Sequence, residues 1–239
     1  MVIGLHPVME AINSGQNFIK VFFKSGLKGE LFQECFSLVR QNSIPFQYVP
    51  VEKLNGFTQA NHQGVIALIS AIPYHDISQV LPTLYESGKE PFLLVLDGIT
   101  DIRNFGAIAR SAEAAGVDAI VIGSKKAAMV NTDAIKTSSG ALNRIPVCRV
   151  DNIDKTVQFL KDSGISVVGA TEKAQASVFD TSFDGPVALV MGAEDTGLSE
   201  AVLREADTLI KIPMAGQIAS LNVSVACGII LFDILRKKM

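Results

Sequence analysis

The chain has 239 residues, 48% hydrophobic and 19% charged, with 21 Lys/Arg against 24 Asp/Glu for a net charge of −3. That balance excludes intrinsic disorder and a basic nucleic-acid tail, and the length allows one or two domains. Cys35, Cys148 and Cys227 are far apart and odd in number. With three histidines and no CxxC pair they suggest neither a disulfide framework nor a metal site, so a reducing compartment is expected. Met1 to Pro7 lacks the basic start and apolar core of a secretory signal, so the expected location is cytoplasmic.

In chain order, Pro7 suits the first turn of a helix that stops at Ser14-Gly15. Phe18 to Phe23 reads as a strand, Gly29 to Gln41 as an amphipathic helix, Phe46 to Val49 as a strand and Gly64 to Ser70 as a buried strand. Residues 1–72 thus form a small α/β module. Residues 73–91 are polar and punctuated by Pro73, Pro82 and Pro91, and read as a linker with room for one short helix. From residue 92 to 239 apolar runs at Phe92 to Leu96, Ala119 to Ile122, Val167 to Gly169, Val187 to Met191 and Leu209 to Ile212 alternate with helical patterns. Runs that are apolar on both faces imply a parallel sheet covered by helices, with ligands expected outside the carboxyl ends of its strands.

Charge divides unevenly. Residues 1–75 hold Lys20, Lys24, Lys28, Arg40 and Lys53 against Glu10, Glu30, Glu34 and Glu52, a net +1, and the remainder is net −4. Any attraction to a polyanion must be local. Ile218 to Leu235, followed by Arg236-Lys237-Lys238, has roughly the length and flanking charge of a short membrane anchor. Asn222 and Asp233 within it make a helix buried in protein the cheaper reading.

Three polar or glycine-bearing clusters follow strands. Asp97 to Arg110 opens a helix rich in small residues, and Arg110 sits where a cation opposes the helix dipole, which calls for an anionic partner or an ordinary salt bridge. Val190 to Ser199 contains Gly192 and Gly197, which allow a sharp turn and close approach to a ligand. It lacks the ending of a phosphate loop, no GxGxxG follows any strand, and Glu194 and Asp195 would repel phosphate, leaving a neutral or cationic ligand or a plain turn. In Ile212 to Ser224, Ser220 is an N-cap candidate, while Asn222 lies in an otherwise apolar helix and needs a partner, for which a ligand is a candidate.

In this order, the NxGxxxR start (Asn104, Gly106, Arg110), the GxExxGL turn (Gly192, Glu194, Gly197, Leu198) and the segment Ile212 to Ala226 closely resemble the SpoU/TrmH group of SPOUT RNA ribose 2'-O-methyltransferases. Gly4-Leu5-His6-Pro7-Val8 and Asn61-His62-Gln63-Gly64-Val65 resemble the entry and exit of the small L30e-like RNA-binding domain of the 23S rRNA guanosine enzymes. The resemblance implies an L30e-like domain, a linker, and an α/β methyltransferase domain with a deep trefoil knot. It also implies S-adenosylmethionine as cofactor, held around Met191, Gly192, Ile212, Met214 and Leu221 with Ala170 and Thr171. Catalytic roles carry over to Arg110, Asn104, Glu194, Ser220 and Asn222, the arginine holding phosphate and stabilising alkoxide, because a guanidinium does not deprotonate in proteins.

Two departures stand out. Asp101-Ile102-Arg103-Asn104 replaces a Pro and His often found before the Asn, which leaves Arg103 a phosphate contact at most, and Asp233 replaces a common Glu. Lys20, Lys24, Lys28, Arg103 and Arg144, with Lys125 and Lys126, are candidate RNA contacts or plain solvated surface. The family implies a homodimer without metal or membrane contact. The substrate expected is a 23S rRNA guanosine, with tRNA methylation and a non-catalytic assembly factor as rivals.

Overall fold

The computed structural model describes residues 1–217 and 220–239, so Ile218 and Ala219 of the third motif lie outside the described residues. The chain divides into two compact units, Met1–Pro73 and Tyr74–Met239.

In the first unit, β1 (Val2–Ile3), α1 (Leu5–Asn13), β2 (Phe18–Lys24), α2 (Glu30–Gln41), β3 (Phe46–Val49), α3 (Val51–Asn55) and β4 (Val65–Ile69) give a four-stranded sheet in the order β1-β4-β2-β3. One sheet face carries Val21, Phe23, Val65 and Ala67 and packs on the apolar sides of α1 and α2 through Val8, Ile12, Cys35 and Val39. The other face carries Phe22, Val49 and Ile66, with Leu68 partly buried beside them, and packs on Leu54 of the short helix α3. Both family-like end motifs work as a clasp. β1 pairs antiparallel with β4, and Gln63 Oε1 accepts the Leu5 N–H at 3.2 Å, so the start and end of the unit close on each other. Gly4, at φ +98°, faces that Gln63 oxygen, where a β-carbon would be crowded and the backbone strained.

The second unit begins earlier than the sequence suggested. The segment 73–91, expected as a linker, carries α4 (Ile77–Glu86), capped by Asp76 accepting the Ser78 N–H at 2.9 Å. Its Ile77, Val80, Leu81 and Leu84 recur at helical spacing and pack into the second unit's core, so from Tyr74 onward this stretch is part of that unit. Beyond it come β5 (Phe92–Asp97), α5 (Ile102–Ala114), β6 (Ala119–Gly123), α6 (Thr132–Thr137), β7 (Val147–Val150), α7 (Ile153–Asp162), β8 (Ser166–Ala170), β9 (Ala176–Ser177), β10 (Val187–Gly192), α8 (Glu200–Glu205), β11 (Thr208–Lys211) and α9 (Val223–Lys238). The seven strands lie in the order β7-β6-β5-β10-β8-β11-β9, and every pair is parallel.

β5, β6 and β10 are apolar on both faces because helices cover both. The helices approach closely where side chains are small. A β-carbon on Gly106 would lie 2.6 Å from Thr137 Cβ, so this motif glycine serves the α5–α6 contact, and Gly228 of α9 sits against Ser111 of α5. Among the described residues no helix is long and apolar enough to cross a membrane. Asp233, 8% exposed on α9, has Lys237 Nζ at 2.7 Å and Arg236 at 2.9 Å. Burial pushes its carboxyl up, but hydrogen bonds from Lys237 and Arg236 outweigh that and hold it below the usual carboxylate range.

Candidate active site

The carboxyl ends of β5, β10, β8 and β11 converge, as expected for a doubly covered parallel sheet. Gly192 ends β10 in register with Asp97 at the end of β5. Past it the chain folds back at once, with the Ala193 and Gly197 backbones exchanging N–H···O bonds of 3.1 and 2.9 Å. Only glycine fits at 192, since a β-carbon would lie 2.2 Å from the Gly197 carbonyl carbon. Gly197 takes φ +69°, Leu198 is buried, and the Ser199 N–H donates to Asp97 Oδ2 at 2.7 Å, tying the turn to β5. Each fixed residue of the GxExxGL pattern except Glu194 therefore has a structural task.

Glu194 meets two amides. Asn104 Nδ2 donates to its Oε2 at 3.1 Å and Asn222 Nδ2 to its Oε1 at 3.1 Å, and Asn222 Nδ2 also reaches Asn104 Oδ1 at 3.0 Å. These three residues, from three strand ends, close a ring. Asp101 caps α5 by accepting the Asn104 N–H at 2.7 Å, which fixes one member. Asn222 is itself the N-cap of α9, its Oδ1 accepting from the Ser224 and Val225 N–H groups at 3.0 and 3.4 Å. With the oxygen committed to the helix, the Asn222 amide nitrogen can only face the ring.

Two expectations change here. The cap is Asn222 and not Ser220, because α9 starts at Val223. Asn222 is exposed, not a buried amide, and its partners are Asn104 and Glu194.

Two cavities meet at the ring. The larger, about 470 Å³, is lined by all seven residues named as cofactor contacts: Ala170, Thr171, Met191, Gly192, Ile212, Met214 and Leu221. Ser220 and Glu194 line it as well, and its size lies in the usual range for small-molecule sites. The second, about 340 Å³, lies between the Gly98–Asn104 loop and Ala193–Asp195, and Glu194 and Val223 border both. The larger wall is mainly apolar, with Met191, Ile210, Leu221 and Ile230, interrupted by the carboxylates Glu172 and Glu194 and by Lys211. That donor set suits a flat heterocycle joined to a cationic centre. Sequence reasoning missed Glu172, which falls in no motif, and the bridging position of Val223, which lies inside the Ile212 to Ala226 motif as a plain apolar residue.

Arg110 is not brought to the ring. Six residues after Asn104, it projects about 120° further round α5, exposed and with no ion-pair partner among the described residues. Arg103, seven residues earlier, shares its side of the helix and borders a separate hollow with Asp133 and Lys136. Arg144 is exposed and 3.7 Å from Glu113. Lys24 and Lys28 are exposed in the first unit, and Lys20 is half-buried there.

Residues 91–232 match the SpoU rRNA Methylase family, and residues 1–75 match the RNA 2'-O ribose methyltransferase substrate binding family. A Bacillus subtilis protein assigned to the TrmH family of tRNA/rRNA methyltransferases is 37% identical over 99% of this chain and 95% of its own length. The SpoU methyltransferase AviRb of Streptomyces viridochromogenes, crystallised with AdoMet, superposes with a TM-score of 0.63 at 26% identity, over 99% of this chain and 89% of that one. A TrmH/SpoU tRNA modifying enzyme of A. aeolicus gives a TM-score of 0.57 at 28% identity, over 68% of this chain and 84% of that one.

Proposed function

The chain belongs to the SpoU rRNA methylase family, and from that premise we propose that it transfers a methyl group from S-adenosylmethionine to the ribose 2'-hydroxyl of a guanosine in 23S rRNA. The observation that carries the reading is the Asn104–Glu194–Asn222 ring at the shared border of two cavities, one sized and lined for the donor and one open to an acceptor. When bound, S-adenosylmethionine supplies an electrophilic methyl group on its sulfonium. The apolar side chains of Met191, Ile212, Met214 and Leu221, with Ala170 and Thr171, hold the flat part of the donor, and Gly192 lets the backbone approach it. Glu172 and Glu194 offer carboxylates to its cationic groups. The ring fixes the Glu194 and Asn104 side chains in one orientation, and with Ser220 they align the ribose for in-line attack.

Arg110 holds the RNA phosphate and stabilises the charge developing on the 2'-oxygen; as a guanidinium it does not accept the proton. Because Arg110 points away from its own ring, a homodimer that lends it to the partner's site fits this reading. The exposed Val225 and Phe232 on α9 would suit such an interface. An rRNA substrate is favoured over tRNA by the match of residues 91–232 to the SpoU rRNA Methylase family and by the separate substrate-binding unit matched over residues 1–75. Lys20, Lys24, Lys28, Arg103 and Arg144 are the proposed RNA contacts, in a cytoplasmic enzyme.

The test is methyl transfer from labelled donor to ribosomal RNA with purified protein. Arg110→Ala should slow it roughly 100- to 1,000-fold, and transfer at the wild-type rate would overturn the assignment. Mapping the lost methyl group on 23S rRNA and tRNA from a deletion strain decides the substrate.

A further inference from the structure

The first unit presents one sheet face that is only partly roofed. On β2, Lys20, Phe22 and Lys24 alternate onto that face, away from the side covered by α1 and α2. Phe57, 37% exposed just after α3, stacks on Phe22 with ring centroids 5.2 Å apart and planes 29° from parallel. Lys20 Nζ lies 5.9 Å and Lys53 Nζ 5.6 Å from the Phe22 ring centroid. Two ammonium groups are thus gathered on one ring, and among the described residues neither is paired with an acid. Cation–π contact holds each of them but does nothing to offset their mutual repulsion. Residues 53–75 contain no Asp or Glu, nor does β2, and Glu52 lies about 160° round α3 from Leu54, the residue that α3 buries.

We infer that this face is a docking platform for unpaired RNA, with a backbone phosphate drawn between Lys20 and Lys53 and an adjacent base stacked on the exposed ring of Phe57. The partner's chemistry follows from the combination. Lysines without counter-charges call for a polyanion, and an exposed aromatic ring already aligned in a stack offers a π-face that every unpaired base can use but a duplex, with its bases stacked inside, cannot. The inference rests on the reading of the chain as an RNA methyltransferase and narrows its substrate to a loop or single-stranded segment. It adds Lys53 and Phe57 to the candidate RNA contacts.

The experiment is fluorescence anisotropy of a labelled, unstructured RNA oligonucleotide with the full chain, titrated across salt concentration. Each phosphate contact in a single strand adds about 0.7 to the slope of log affinity against log salt, so Lys20→Gln/Lys53→Gln, which removes the one phosphate held between them, should lower the slope by about 0.7. Arg40→Gln, on α2 and so on the opposite side of the sheet, makes the same change in charge per site and should leave the slope unaltered. Phe57→Leu keeps an apolar side chain without a π-face and should weaken binding about tenfold, while Phe57→Trp should retain it. An unchanged slope in the double variant, an equal loss in Arg40→Gln, wild-type affinity in Phe57→Leu, or equal competition by a duplex of the same sequence would each overturn the platform. Binding of S-adenosylmethionine by every variant, read by calorimetry, checks that the second unit is intact. If the wild-type protein binds RNA in this pattern yet methylates none, the proposed activity fails and the platform stands.

Discussion

The two units handle their charges differently. In the second unit several cations are tied to acids of the same unit, Lys89 to Asp118, Lys161 to Asp207, Lys237 and Arg236 to Asp233, Lys238 to Glu90, while others such as Arg110 are left without an ion pair among the described residues. In the first unit no ion pair occurs among the described residues, although it holds Lys20, Lys24, Lys28, Arg40 and Lys53 beside four glutamates. Polar groups in the second unit also turn inward at the strand ends, where Asn104, Glu194 and Asn222 satisfy one another. Internal pairing fixes geometry, which suits a site that must align two reactants, whereas unpaired cations remain available to a polyanion from outside. A net charge of −3 therefore says little about RNA affinity here, since it does not distinguish cations paired with acids from cations left available.

The sharpest way to break this contrast is to open the ring. Asn222→Ala removes the α9 cap, at a cost of about 1 kcal/mol, and leaves Glu194 and Asn104 free to reorient. Methyl transfer should fall about 100-fold, as for a misplaced catalytic group, while affinity for single-stranded RNA stays at the wild-type level. Parallel loss of RNA binding in an anisotropy titration would mean that the division of labour is wrong.

Smaller in effect is the Asp233 cluster. Its carboxyl is held below the ordinary aspartate value of about 3.9, so the stabilisation is fully present above that pH and disappears as pH falls through the lower folded value. Asp233→Asn should cost about 2 kcal/mol near neutrality, the range for hydrogen bonds to a charged group. Lys237 keeps the Val178 and Thr181 carbonyls as partners, which limits the loss. Urea midpoints of the two proteins should converge once the pH is low enough to protonate the native carboxyl as well. A stability difference that does not shrink on acidification would remove the ion pair from the explanation.

How much of this was legible in sequence depended on how local each cause was. β5, β6 and β10 announce themselves because both faces are buried and apart from Asp97 at the end of β5 they carry no polar side chain. β7, Val147–Val150, does not, because Arg149 interrupts it, its guanidinium lying 5.1 Å from the Tyr74 ring. α4 was obscured by Pro82 and polar neighbours, although Ile77, Leu81 and Leu84 carry a helical period and Asp76-Ile77-Ser78 a capping signal. At the site, Gly192 and Gly197 are readable from the turn they must make. The ring is not, since Asn104 and Asn222 are 118 residues apart and meet only because β5 and β11 end on one side of the same sheet. Asn222 stands at the cap and not inside the helix for a related reason: which of the two a residue does depends on where the incoming chain leaves the preceding loop.

The cysteines allow the two units to be followed separately in one sample, with the smallest expected effect. Burial pushes the Cys35 thiol up to about 11 and Cys148 to about 12, with Cys227 higher still, so none is reactive in the native state near neutral pH. Reaction with a thiol reagent then requires local opening, and Cys35 reports the first unit while Cys148 and Cys227 report the second. A ligand that binds only the closed form slows labelling by the factor 1 + [L]/Kd, about 11-fold at ten times Kd. Cys227 lies between Ala226 and Ile230, which line the larger cavity, so S-adenosylmethionine should protect Cys227 and leave Cys35 unchanged. Single-stranded RNA should do the reverse. Mass spectrometry of the labelled peptides reads both in one experiment, and protection of Cys35 by S-adenosylmethionine alone would show that the units open together, so that neither ligand reports on one unit independently.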